Sequence, residues 1–109
     1  VSPEIPTPAT APEGHPAVAI WFSAPGCGVC SVLRPRIKAL FEQEFPRVRW
    51  LEVDTAAQPA MAAQNQVFTI PTLLVFLDGR EFLRRARNFS PAEVRDALER
   101  PYGLLFGDA

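Results

Sequence analysis

Residues 21–30 read WFSAPGCGVC and hold both cysteines of the 109-residue chain. The order of events in this stretch decides the fold. An apolar run, AVAIWFS at 17–23, leads into it; Pro25-Gly26 breaks the run; Cys27 and Cys30 follow at once. The run carries the β-branched and aromatic residues of a strand buried on both faces. Beyond the break, Val29, Leu33, Ile37, Leu40, Phe41 and Phe45 recur at helical spacing, with Arg34, Arg36, Lys38, Glu42 and Glu44 between them. The two cysteines therefore sit where a buried strand hands over to an amphipathic helix.

Working outward, Pro35 falls inside that helix and is expected to kink it, and Pro46 closes it. VRWLEVD at 48–54 alternates as a strand does, and Pro59 suits the first position of a short helix through about Gln64. TLLVFL at 72–77 predicts a further strand, Asp78-Gly79 a type I′ turn, and REFLRRA at 80–86 the antiparallel return. Ser90, Pro91 and Glu93 supply a cap, an N1 proline and a capping-box partner, Phe89 can staple to Val94, and Pro101 is expected to end this last helix. The order is β-α-β-α-β-β-α, an α/β layer structure in which parallel strands joined by helical crossovers carry an antiparallel hairpin edge. Residues 1–16 contain five prolines and read as an extended tail, leaving 17–109 as the folded domain.

Composition narrows the function. The formal net charge is −1, so no strong pull on nucleic acid or anionic lipid is expected. No run approaches the roughly 20 apolar residues that a membrane helix needs. No charged segment followed by an apolar core marks a signal peptide. The chain begins at Val1 rather than Met, so a removed upstream piece is expected, either an export signal or a start codon. The single histidine, His15, lies in the Pro-rich tail and reads as a solvated residue.

Three uses compete for the cysteine pair. A structural zinc site wants about four ligands, and this chain supplies two thiols and one distant histidine. A disulfide across so short a loop removes little chain entropy, which counts against a staple. A working thiol pair fits better. Cβ atoms three residues apart on a helix are about 5–6 Å apart, and modest rotation in the first turn brings the sulfurs together. The helix N-terminus favours a thiolate, the form that attacks disulfides. Cys27, nearer the loop, is expected to attack, and Cys30, inside the helix, to resolve. A C-x-x-C beside a βαβ pattern is a redox arrangement.

From about Val18 to Leu98 the chain resembles a thioredoxin. The resemblance rests on AVAIWFSAPGCGVC, Pro35 in the helix, the strand ending at Asp54, TIPT at 69–72, FLDG at 76–79 and the capped last helix. It implies a thioredoxin-like fold around a central mixed sheet, with the first strand and helix missing or replaced by the Pro-rich tail. It also implies that Pro71 is a cis proline, that Ile70 beside it pairs with substrate backbone, and that Gly26, Gly28, Val29 and Arg87 border the substrate. Four positions depart from the family's pattern. Gly26 stands where a tryptophan usually precedes the first cysteine, and Gly28-Val29 where Gly-Pro is common. Arg87 replaces a glycine of the docking groove. Trp21 and Trp50 occupy the places of a buried Asp and its Lys partner.

The expected function is thiol–disulfide exchange between Cys27–Cys30 and protein substrates, as a reductant, in a monomer without organic cofactor or metal. A dithiol reductase or other redox partner would recharge the pair. The expected location is cytoplasmic, or exported with the tail as a tether. Two alternatives stand beside it: a binding or chaperone module that keeps the fold but little turnover, and a thiolate site for Cu(I). Arg84, Arg85 and Arg87 are expected to guard an edge strand or to steer an acidic partner.

Overall fold

The computed structural model of the chain describes residues 16–107. The expected tail, His15 included, lies outside the described residues but for Pro16. Strand β1 (Ala17–Ser23) leads into helix α1 (Gly28–Glu44), followed by β2 (Arg49–Asp54), α2 (Pro59–Gln64), β3 (Thr72–Leu77), β4 (Arg80–Ala86) and α3 (Pro91–Phe106). The four strands form one sheet in the order β2-β1-β3-β4. Only the β1–β2 pair is parallel. β3 runs antiparallel to β1, and β4 antiparallel to β3, so the sheet is mixed and the crossover through α2 does not return the chain parallel.

β1 is buried on both faces, and the alternation of its side chains separates two cores. Ala17, Ala19 and Trp21 point to the layer that also holds Cys30, Leu33, Ile37 and Phe41 of α1 and Val94, Leu98 and Tyr102 of α3. Val18, Ile20 and Phe22 point to the other layer, with Val53, Ala62, Val67, Leu74 and Phe76. The hairpin turn has φ of 54° at Asp78 and 81° at Gly79, the two positive values of a type I′ turn. A bulge lies opposite Val75/Phe76, and Phe82, the residue skipped in the pairing, is left 47% exposed.

The end of α3 corrects one expectation. Pro101 does not stop the helix, which continues to Phe106. A proline here deprives the Ala97 carbonyl of its intrahelical donor. The next turn is nevertheless held by packing. Tyr102 is 7% exposed, its ring lies 5.0 Å from Phe45 and 4.8 Å from Phe106, and its hydroxyl accepts the Arg47 backbone N–H at 3.2 Å. Gly107, at φ 64°, supplies the left-handed C-terminal residue. At the other end the expected capping box is present: Ser90 Oγ accepts from Glu93 N, and the Glu93 carboxylate accepts from Ser90 N.

Arg84 is tied more closely than a solvated edge guard. It pairs with Glu81 and donates to the carbonyls of Asn65 and Gln66. Asn65 and Gln66 lie in a Schellman turn after α2, in which Gln66 N–H reaches Ala63 O and Val67 N–H reaches Ala62 O. The left-handed φ of 57° at Gln66 belongs to that turn.

Candidate active site

The approach to the cysteines is set by a turn. Cys27 N–H donates to Ala24 O at 3.3 Å across Pro25-Gly26, and Gly26 has φ of 83°. Pro at the second position and a positive φ at the third make this a type II turn, which explains why glycine stands next to the cysteine. Cys27 is then the N-cap of α1, in extended conformation, with Sγ accepting the Cys30 N–H at 3.1 Å. Ser31 N–H donates to Cys27 O at 3.2 Å and continues the helical ladder.

Cys27 and Cys30 are joined as a disulfide, with Cα atoms 5.2 Å apart. Their exposures differ: Cys27 is half-buried and Cys30 is 4% exposed, within the α1/α3 core. Across from them, the Ile70–Pro71 peptide is cis. Thr72 Oγ1 donates to Thr69 O at 2.7 Å, and Arg87 N–H donates to Pro71 O at 2.8 Å, so both sides of the proline loop are pinned. Cys27 and Ile70 pack against the hydrophobic cluster that contains Cys30 and Trp21.

The cluster that holds Cys30 also contains a group of packed aromatic rings. Trp21, fully buried, stacks on Trp50 with ring centroids 6.3 Å apart and meets Phe89 edge-on at 6.1 Å. Trp50 also touches Phe41 at 5.5 Å, and its Nε1–H donates to Glu52 Oε2 at 2.8 Å. The same carboxylate accepts from Arg34 Nε at 2.9 Å and forms a salt bridge with it. Partial burial alone would raise the Glu52 pKa; the hydrogen bonds from Arg34 and Trp50 outweigh it and hold the carboxyl below its usual range. Trp21 Nε1, by contrast, meets no acceptor. The expected aromatic pair is real, but only one indole has a partner for its N–H.

Two depressions lie along residues next in sequence to the cysteines and to Pro71. One, of about 620 Å³, runs between the start of α1 and the segment before α3, past Gly28, Val29, Val32, Leu33, Arg87 and Phe89. The other, of about 220 Å³, lies on the far side of the proline loop, along Thr55, Val67, Phe68 and Ile70. Val29, Val32 and Phe68 are 50%, 59% and 82% exposed. Sequence reading missed Val32 and Phe68. Val32 was legible as the next residue after Val29 on the same helix face; Phe68 gave only a lone aromatic in a loop. Pro35 lies inside α1, among the exposed positions.

The family model described as Thioredoxin matches residues 11–100. The chain belongs to the thioredoxin family. It is similar to the thioredoxin-like protein YdfQ of Bacillus subtilis, at 36% identity over 82% of this chain and 79% of that protein. A thioredoxin of Chlamydia trachomatis is 45% identical over 62% of this chain and 65% of its own length. Among solved structures, thioredoxin 1 of Thermosipho africanus superposes with a TM-score of 0.73 at 31% identity, covering 80% of this chain and 96% of that one. Membership of this family makes the protein a thiol–disulfide oxidoreductase. No helix among the described residues is long and apolar enough to cross a membrane.

Within the family, the departures acquire physical content. Gly26 serves a turn whose φ a tryptophan would adopt only under strain. Arg87 holds φ of 68°, a conformation glycine adopts freely and arginine only with strain. Trp21 and Trp50 form a stacked pair packed in the cluster that holds Cys30, and the Trp21 N–H in that pair is unpaired.

Proposed function

We propose that the protein is a reductant of protein disulfides. The observation that carries this reading is the contrast between its sulfurs: Cys27 at the open N-cap of α1, Cys30 closed into the core. In the reduced state the unpaired amides and dipole of the helix N-terminus favour a thiolate at Cys27. That thiolate attacks one sulfur of a substrate disulfide. A Cys27–substrate mixed disulfide forms, and the other substrate sulfur leaves as thiolate. Cys30, deprotonated in turn, attacks Cys27 Sγ, releases the second substrate thiolate and restores the Cys27–Cys30 disulfide. Two electrons pass to the substrate, and an external dithiol reductase returns them. The cysteines carry the electrons, so no organic cofactor enters the cycle.

Gly26, Gly28 and Val29 on one side and Ile70 and Pro71 on the other are the proposed walls of the substrate site, with Arg87 at its edge. Trp21 and Trp50 pack in the cluster that holds Cys30 and offer no carboxylate, so protons of the resolving thiol go to water or to the departing substrate thiolate. The reading places the protein in the cytoplasm, where the pair is kept reduced, and treats residues 17–109 as one folding unit.

Brief iodoacetamide treatment of the reduced folded protein, followed by peptide mapping, tests the roles. Label is expected on Cys27 first; faster label on Cys30 would reverse them. Turbidimetric insulin reduction with a dithiol donor tests turnover, and its absence would leave a binding module.

A further inference from the structure

Val29 lies between the two cysteines, and with Val32, Leu33 and Phe89 it floors the larger groove. Two charged side chains reach that groove, Arg87 and Glu93. The Glu93 carboxylate is committed: it accepts the Ser90 backbone N–H at 2.9 Å in the capping box. Arg87 is exposed and, among the described residues, its guanidinium makes no hydrogen bond and meets no carboxylate. Its neighbours differ. Arg84 is paired with Glu81, and Arg85 donates to the Arg84 carbonyl. The groove therefore presents an apolar floor with one uncommitted positive charge.

The backbone adds an independent observation. Among the described residues, three other than glycine have positive φ: Gln66, Asp78 and Arg87. The first closes α2 and the second makes the hairpin turn, whereas Arg87 follows β4 and bonds only to Pro71 O. An arginine is held, against its own conformational preference, beside the proline loop. Strained positions of this kind concentrate where a side chain is used.

We propose that Arg87 is a specificity-determining residue, and that the preferred substrate is an extended polypeptide with an aliphatic side chain and an Asp or Glu flanking its reactive cysteine. The aliphatic group covers Val29 and Val32, and the carboxylate pairs with Arg87. The inference rests on the reading that disulfide substrates enter this groove. An exposed ion pair of this type changes selectivity about two- to fivefold and weakens as salt screens it.

The test uses three peptide disulfides that differ only in a Glu, Gln or Lys beside the attacked cysteine. Stopped-flow reduction by the reduced protein is measured for wild type, Arg87→Gly and Arg87→Glu at low and at high salt. Each rate is divided by that variant's rate with uncharged bis(2-hydroxyethyl) disulfide, which removes any effect of Arg87 on the Cys27 thiolate itself. Glycine relieves the φ strain, so Arg87→Gly is expected to fold. The wild type is expected to prefer Glu over Gln over Lys, about two- to fivefold across the series. Arg87→Gly should flatten that order, Arg87→Glu should invert it, and high salt should compress it. Equal normalised rates for the three peptides in the wild type, or an order that survives Arg87→Gly, would overturn the assignment while leaving the oxidoreductase reading intact. Failure to reduce even the uncharged disulfide would overturn both.

Discussion

Replacing Trp21 by phenylalanine should cost almost nothing, although Trp21 is a fully buried aromatic at the centre of the main core. The reason is its orphaned Nε1, which is buried without an acceptor. A buried donor left unsatisfied costs about 1–3 kcal/mol, and phenylalanine removes that donor. Phenylalanine also removes two ring carbons, worth about 1.6 kcal/mol at about 0.8 kcal/mol per buried carbon group. It keeps an aromatic face for Trp50 and an edge for Phe89. The opposing effects nearly cancel, so the Trp21→Phe loss should stay within about 1 kcal/mol. Trp21→Ala keeps neither ring and should lose about 3–5 kcal/mol. Urea unfolding of the oxidised proteins, followed by far-UV circular dichroism, separates these outcomes. At a slope of about 1–1.5 kcal/mol per molar urea, the midpoint should fall by less than about 1 M for Phe and by at least about 2 M for Ala. A Trp21→Phe loss above about 2 kcal/mol would refute the reasoning, because it would mean that Nε1 is hydrogen-bonded in solution.

Three further outcomes are expected. Pro101→Ala should restore the helical bond to Ala97 O and raise the unfolding free energy, by up to about 3 kcal/mol, measured by the same denaturation; a loss would show that the break shapes the Tyr102 turn. Glu52 has a folded pKa below its unfolded value, so its contribution is present above about pH 4.3 and fades as pH falls through the lower folded value; Glu52→Gln should therefore flatten the acid limb of the stability profile, and an unchanged limb would mean that the Arg34–Glu52–Trp50 cluster adds nothing. Trp21→Asp should show more disulfide reduction per folded molecule than Trp21→Asn, chiefly above pH 7, because a buried carboxyl can take the Cys30 proton; equal activity across pH 6–9 would show that proton transfer never limits turnover.

Much of the fold was legible because local and global signals agree. Gly-containing turns, the Ser90 capping box and the two-sided burial of β1 each follow from a few adjacent residues. The cysteine pair and Pro71 were legible for the same reason, as short motifs at fixed distances from a strand and a hairpin. Apart from Val32, which the helix face already offered, the misses are non-local. Pro101 reads as a stop until Leu98, Tyr102 and Phe106 are seen packing on α1 and its C-cap, and Gly107 two turns later was the overlooked terminator. Arg84 reads as a surface charge because the carbonyls it serves, at 65 and 66, lie across the sheet edge. The antiparallel direction of β3 depends on where the chain crosses after α2, which no periodicity records. The strain at Arg87 depends on a backbone angle, and an arginine gives no sign of it.

The two-sided strand β1 has a consequence for insertions and deletions. Trp21 and Phe22 are consecutive yet belong to opposite cores. Losing or gaining one residue upstream of the cysteines would exchange them, pressing an indole into the α2 layer and a phenyl ring into the layer that holds Cys30. It would also move the type II turn off Pro25-Gly26, whose φ only glycine meets freely. Length changes should thus be forbidden between Ala17 and Cys27 and tolerated at the Asp78-Gly79 tip. The aim of the sulfurs is set by counting residues along a strand, and no side chain near them could correct a miscount.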